Sequence, residues 1–433
     1  MSVSEGVVAM DTDYAPESEA YSSFDVSDLR VKGFRARLTR RLVNHPEWLL
    51  AVLRTLCPIP KLCNWALVTR FEDVQEVLGL DEVFPVPFGD KVKLLNDGPN
   101  FLLGMKRGAE YWAIQRDVME VFRLADIPSI VAPESARITE EILAARAGRI
   151  DAIQDLITLV PTRLCQTYYG VPVPAEYETL FGQWTIAMST FMFGDPTDIP
   201  AYRRCAVAAG ERVRALIDQA IRAGKASPPR GSDTILARLL AMQKLNPQLT
   251  DDRIRSYLIG MITGFVPTNT MAAGHILKML FRRRDFMEAA RSAAIAGDDE
   301  TLRRCLFETL RFKPLNPGPF RKCAQDYRIA AGTSHAKTIP AGTKLLASTQ
   351  SAMLDGRRVV NPGEFDPDRP AFHFMLFGYG LHWCTGAFIA AAQITQTFKA
   401  LLMKPNLRPA SGRDGRLRLL GPFPQHMTVE FEP

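Results

Sequence analysis

The sequence predicts a mainly α-helical protein with small β-sheets. A cap at Asn246-Pro247-Gln248-Leu249-Thr250, followed by Asp251 and Asp252, opens a helix that runs to about Leu280. That helix is apolar nearly all round from Tyr257 to Val266, as expected of one crossing a protein interior. A second helix without Gly or Pro begins at Ala387 and continues through Ile394. Strand-like segments are short: Trp65 to Thr69, and the flanks of a turn at Thr338-Ile339-Pro340-Ala341-Gly342-Thr343.

Composition narrows the class. The chain has 433 residues, of which 47% are hydrophobic, enough for a large core. No run of about 20 apolar residues stands near the start, so neither a membrane anchor nor a signal peptide is expected. Seven cysteines are widely spaced, without a disulfide pattern, which points to the cytoplasm. The net charge of +6 is too mild to imply nucleic acid, and no basic and aromatic interleaving supports it. A basic face suits either an acidic partner or plain solvent. A monomer is expected.

Residues 1–28 hold seven acids and no Lys or Arg, and read as a flexible acidic leader. Residues 29–433 read as one domain. Positive charge starts at Arg30, Lys32, Arg35, Arg37, Arg40 and Arg41; helices are expected over Glu47–Leu56, Phe71–Leu78 and Arg107–Phe122. Residues 84–104, with their Pro and Gly, read as a long irregular loop, a functional or mobile element. Segments 176–193 and 202–222 read as a helix pair rich in aromatic residues and Met, suited to core packing or to a large apolar ligand.

The most informative stretch is Phe377-Gly378-Tyr379-Gly380-Leu381-His382-Trp383-Cys384-Thr385-Gly386. Glycines at this density let a backbone turn sharply against something flat and bulky. Cys384 stands at the mouth of the Ala-rich helix, where free N–H groups ease formation of a thiolate. Such a sulfur serves as a nucleophile, a zinc ligand or an axial haem ligand; zinc needs further close ligands, and only His382 is near.

The spelling Phe-Gly-x-Gly-x-His-x-Cys-x-Gly resembles the haem-thiolate loop of cytochromes P450. The resemblance extends over about residues 30–433 in the family's order, and implies the cytochrome P450 fold. It implies that Cys384 ligates the iron of haem b, that Phe377 packs over the sulfur, that Gly386 follows the ligand, and that His382 meets a haem propionate. Trp112 and Arg116, four apart on a helix, resemble the family's propionate-binding Trp-x-x-x-Arg; read alone they are packing plus solvent. Arg321 resembles the further propionate-binding cation. Glu308-x-x-Arg311 with Arg369 resembles the family's buried Glu–Arg–Arg network, although an i,i+3 pair is more often a solvated face.

One segment departs from the family. The usual Ala/Gly-Gly-x-Asp/Glu-Thr of the interior helix is Thr263-Gly264-Phe265-Val266-Pro267-Thr268 here. Val266 takes the place of the acid and Pro267 that of the Thr, so the usual proton-relay pair is missing. Pro267 has no N–H for the Thr263 carbonyl, and a kink with an orphan acceptor is expected. Thr263, Thr268 and Thr270 are the hydroxyls available to serve the distal side beside Gly264. The implied function is monooxygenation of an apolar small molecule with dioxygen. No flavin or nucleotide fingerprint occurs, so electrons are expected from a separate ferredoxin-type donor. The missing relay keeps two alternatives open: peroxide-driven oxidation or hydroperoxide isomerisation, and a non-catalytic scaffold of the same fold.

Overall fold

The computed structural model describes residues 47–194, 200–227, 233–420 and 423–432. The acidic leader expected over residues 1–28 lies outside them. The described residues belong to one compact unit.

In chain order the elements are α1 (Glu47–Leu56), β1 (Lys61–Leu62), β2 (Trp65–Val68), α2 (Phe71–Gly79), α3 (Gly89–Asn96), α4 (Ala109–Val121), α5 (Ala132–Ala144), β3 (Arg149–Asp151) and α6 (Leu159–Thr167). Then come α7 (Glu178–Ser189), α8 (Pro200–Ala226), α9 (Ile235–Leu245), α10 (Asp251–Arg282), α11 (Arg284–Ala296) and α12 (Asp299–Phe312). The rest are β4 (Phe320–Lys322), β5 (Tyr327–Ile329), β6 (Lys337–Ile339), β7 (Lys344–Ala347), α13 (Thr349–Ala352), α14 (Ala387–Leu402), β8 (Arg408–Pro409), β9 (Arg418–Leu420), β10 (Phe423–His426) and β11 (Thr428–Glu430).

The sheets are small. The largest has order β1-β2-β7-β4, with β2 and β7 parallel and Ala66 opposite Leu345. Its buried residues, with those of α2, form a second core apart from the helical one. The helical core surrounds α10, which is buried on nearly every side and packs against α7, α8 and α12. Its start follows from the sequence: the Thr250 hydroxyl accepts from the Arg253 N–H, and two acids fill the first turn.

Close approach to α10 is set by Gly260. A Cβ there would lie 2.1 Å from the Phe101 ring, so the ring seats directly on the helix backbone. Two polar ties fix α10 against its neighbours. The Tyr257 hydroxyl donates to Asp117 on α4 at 2.9 Å, and the Asn269 amide donates to Gln393 on α14 at 2.7 Å.

One expectation needs correction. The segment 84–104 is not one irregular loop: α3 and a short 3-10 turn at Leu102–Gly104 fill much of it. Phe84, at the start of this segment, packs edge-on against Tyr327 in the second core. The chain stays helical through Pro267, consistent with a helix expected to run to about Leu280. Packing on all sides holds the helix where local propensity alone disfavours it.

Glu308, Arg311 and Arg369 lie together and buried, not on a solvated face. Arg311 donates to both Glu308 oxygens, at 2.9 and 2.7 Å, and Arg369 reaches the same carboxylate at 3.3 Å. The remaining guanidinium donors take the carbonyls of Met353, Val360, Asn361, Pro362 and Glu364. The network thus staples α12 to the irregular stretch that leads into the Cys384 loop. Glu308→Gln leaves two buried guanidinium groups against a neutral partner. We expect a loss of about 3–5 kcal/mol, read as a lower urea midpoint, with full-length protein that no longer retains its pigment on a desalting column.

Candidate haem-thiolate site

The Cys384 loop is shaped by its glycines and by backbone hydrogen bonds. Gly378 and Gly380 adopt φ of 83° and 72°, which side chains other than glycine rarely take. A Cβ on Gly380 would also meet the Leu78 carbonyl of α2 at 2.6 Å. The Cys384 N–H donates to the Phe377 carbonyl at 2.9 Å, and the Trp383 N–H to that of Gly380 at 3.1 Å. Gly386 is the N-cap of α14, which places the sulfur at the helix mouth. Phe377 is half-buried, between Phe307 at 5.6 Å and Trp383 at 6.5 Å.

The helix mouth does not govern the thiol. Burial pushes Cys384 above its usual value, and the Gly386 N–H pulls only partly against this. A bare thiolate is therefore disfavoured here, and a positive centre bonded to sulfur is what would ionise it. Zinc finds no such arrangement: among the described residues no group of three or more His, Cys, Asp and Glu could hold a metal ion.

Helix α10 carries an open position. Gly264 is exposed in the middle of a helix whose neighbours Thr263, Phe265, Val266 and Pro267 are buried, and nothing stands within 4 Å of where its Cβ would be. Thr268, one turn on, is half-exposed, and its hydroxyl donates to the Gly264 carbonyl. The other two hydroxyls turn away from this space. Thr263 donates to Ile259 at 2.6 Å and Thr270 to Val266 at 2.9 Å, and both are buried. The expectation that Thr263 and Thr270 serve the distal side is not met: both are buried, with their hydroxyls bonded within the protein core.

Cations collect at one edge. Arg321, on β4, is buried; one of its nitrogens donates to the Phe320 carbonyl at 2.9 Å, while its Nε has no partner. Burial lowers its pKa to about 10. His382 is held down to about 4, first by burial and then by the charge of Arg321. The nearby acid Asp81 is already taken by Arg107, at 2.8 and 3.2 Å. A buried guanidinium and a neutral imidazole thus stand without a free negative partner, which carboxylates brought by a ligand would supply.

Trp112 and Arg116 do not join them. Both are exposed, and Arg107 stacks on the Trp112 ring at 5.7 Å. The residue of α4 that turns to the loop is Tyr111, whose hydroxyl donates to the Leu381 carbonyl at 2.6 Å and whose ring meets His382 edge-on at 5.8 Å. One residue is about 100° of helix rotation, so choosing the second aromatic of Tyr-Trp placed the pair on the wrong face. Asp81, Arg107 and Tyr111 were missed; only the three-dimensional approach of α2 and α4 to the loop reveals them.

These features fit haem. Open space beside Gly264, a cysteine at a helix mouth and an orphaned guanidinium nitrogen match a flat group with a metal at its centre and carboxylates at its rim.

Comparison with known proteins agrees. Residues 66–423 match the family described as Cytochrome P450. Cytochrome P450 107B1 of Saccharopolyspora erythraea is 25% identical over 367 residues, covering 80% of this chain and 84% of that protein. Mycinamicin IV hydroxylase/epoxidase of Micromonospora griseorubida is 24% identical over 357 residues, covering 79% and 82%. Vitamin D(3) 25-hydroxylase of Pseudonocardia autotrophica is 23% identical over 386 residues, covering 86% and 88%. Among solved structures, that of ligand-free cytochrome P450 TbtJ1 superposes with a TM-score of 0.74 at 20% identity, covering 90% of this chain and 97% of that one. The family match spans most of the sequence and includes Cys384 and its loop: this chain belongs to the cytochrome P450 family of haem-dependent oxidoreductases.

Proposed function

We propose that the chain is a haem-thiolate monooxygenase that binds haem b through Cys384 and hydroxylates or epoxidises an apolar small molecule in the cytoplasm. The observation that carries this reading is the family match over residues 66–423, with Cys384 set at the mouth of α14. When bound, the haem supplies the activation of dioxygen, with the thiolate donating charge toward the O–O bond.

The protein's own groups then have distinct tasks. Arg321 and His382 take the haem carboxylates, the arginine through the nitrogen now without a partner. Tyr111 and Gly380 hold the loop so that the sulfur does not swing. Phe377 shields the sulfur from water. On the distal side Thr268 gives its own hydrogen to the Gly264 carbonyl, which leaves its Oγ lone pairs to accept from a water beside Gly264. That water is the proton carrier in place of the missing acid and Thr. Substrate contacts fall to apolar side chains: Phe88 and Phe193, edge-on at 5.6 Å, with Phe101 seated on Gly260.

Electrons come from a separate ferredoxin-type protein. Tyr379, Trp383 and Phe388 are exposed around the Cys384 loop, and Arg116 is exposed on α4. An apolar centre with cations nearby suits an acidic donor.

A second reading is favoured by one observation. Val266 and Pro267 supply neither an acid nor a hydroxyl, so an oxidant whose O–O bond arrives already reduced needs less from this helix. Hydrogen peroxide would then replace dioxygen and the electron donor.

Cys384→Ser is expected to abolish the red-shifted Soret band of the thiolate-ligated carbonyl complex and all oxidative turnover; an unchanged spectrum would overturn the ligand assignment. Turnover should be faster with ferredoxin, its reductase and NAD(P)H than with hydrogen peroxide. The reverse ranking would replace the first reading by the second. Under the electron chain, Thr268→Val should lower product per NAD(P)H consumed by roughly 10²-fold or less, the scale of one proton-transfer group, and release the balance as peroxide. Thr268→Ser should restore coupling.

A further inference from the structure

Two buried tyrosines stand between α10 and an acid, and neither takes part in the chemistry proposed for the site. Tyr168 and Tyr169 follow α6, and both are 1% exposed. Their rings meet edge-on, with centroids 5.4 Å apart. The Tyr169 ring lies 5.4 Å in turn from that of Phe265, the residue next to Gly264 on α10. On the other side the Tyr168 hydroxyl donates to the Asp126 carboxylate at 2.9 Å. A row of rings thus runs from the open position on α10 to a buried proton acceptor. The backbone pins it in place: the carbonyls of Tyr168 and Tyr169 accept from the N–H groups of Ile235 and Leu236 at 2.9 and 3.0 Å.

Packing alone does not require this arrangement. A buried hydroxyl needs one partner, and a backbone carbonyl would serve. Here the partner is a carboxylate, itself buried. Arg238 donates to both oxygens of Asp126, and also to both oxygens of Asp233 at 2.7 and 2.8 Å. The guanidinium therefore keeps an anionic partner if Asp126 becomes neutral. Burial, and then the bond to Asp126, hold the Tyr168 phenol far above its ordinary pKa, so it keeps its proton at rest. An oxidised phenol is by contrast a strong acid, and a carboxylate already in hydrogen-bond contact takes its proton. Electron tunnelling falls steeply with distance, so rings in contact pass an electron far faster than saturated side chains at the same span.

We propose that Tyr168, acting through Tyr169, is an internal one-electron donor that discharges haem oxidised by a peroxide when no substrate is at hand. Tyr168 loses one electron from its ring and one proton from its hydroxyl. Its O–H bond breaks, a new O–H bond forms on Asp126 Oδ2, and the electron passes by way of the Tyr169 ring toward the space beside Gly264. Tyr168 thereby reduces the peroxide-oxidised haem by one electron and is left as a neutral radical. The proposal rests on the haem-thiolate reading, and does not depend on which oxidant the enzyme uses in turnover.

The test is freeze-quench electron paramagnetic resonance on the full-length haem protein mixed with hydrogen peroxide in the absence of substrate. Wild type is expected to show a tyrosyl signal, identified by its narrowing when the protein is grown on ring-deuterated tyrosine. Tyr168→Phe keeps the ring and removes only the hydroxyl; it should lose most of that signal, and its haem should bleach faster in peroxide. Asp126→Asn removes the proton acceptor at nearly constant shape and should lose the signal likewise. Tyr257, whose hydroxyl donates to Asp117, is the control: its ring neighbour is Phe101, outside this row, and Tyr257→Phe should leave the signal intact. Every variant should keep the wild-type carbonyl spectrum, which reports haem and thiolate independently of the radical. A haem-loaded wild type without a tyrosyl signal, a signal that survives in Tyr168→Phe, or bleaching unchanged in that variant overturns the proposal and leaves the haem reading standing. A wild type that binds no haem overturns both.

Discussion

A buried site that lacks its own counter-charges is the constraint on which this structure turns. Arg321 is enclosed with a donor unpaired, His382 beside it cannot hold a proton at neutral pH, and Cys384 is kept as a thiol by burial. The unpaired guanidinium is costly to bury, and the same burial keeps the imidazole and the thiol neutral. Together they describe a complement: negative charge at the rim, positive charge at the sulfur, and a flat body between them beside Gly264. A haem would meet all three, with its carboxylates beside Arg321 and His382 and its iron at the sulfur of Cys384.

The scaffold keeps these groups apart at fixed positions. Gly380 lets the loop touch α2, Tyr111 ties it to α4, and Asn269 with Gln393 ties α10 to α14. The Glu308 carboxylate then holds two guanidinium groups whose other donors are taken by backbone carbonyls on the approach to the loop. Fully satisfied, such a network specifies one arrangement; partly satisfied, it would be worse than an apolar core. It serves to fix the path of the chain into the cysteine loop more than to add stability.

Much of this was legible in the sequence, for physical reasons. The cap at Thr250, the apolar run of α10 and the glycine spacing around Cys384 are local signals, and local signals survive folding. Glu308, Arg311 and Arg369 were legible only through resemblance, because an i,i+3 pair looks the same on a surface as in a core. What failed was rotation. Trp112 and Arg116 are four apart, as a shared face requires, but nothing local tells which face of α4 turns inward. Tyr111 does so because of where the loop carbonyl of Leu381 lies. Helix α3 was hidden for a different reason: its Gly and Pro neighbours mark the ends of the helix as well as they mark a loop.

The same rotation bears on the distal side. Pro267 removes a hydroxyl from the position where the family has one, and Thr268 supplies a hydroxyl one residue later. On a helix, one residue later means a different direction, yet Thr268 is half-exposed and bonded to the carbonyl of Gly264, the residue that borders the open space. Thr263 and Thr270, by contrast, return their hydrogens to their own helix and are closed off. The acid has no such substitute on α10, since Val266 is buried and apolar. A hydroxyl without an acid can orient a water but cannot resupply it with protons. On the proposed monooxygenase reading, a proton used at the distal face would come from solvent entering beside Gly264, since α10 offers no acid at that position.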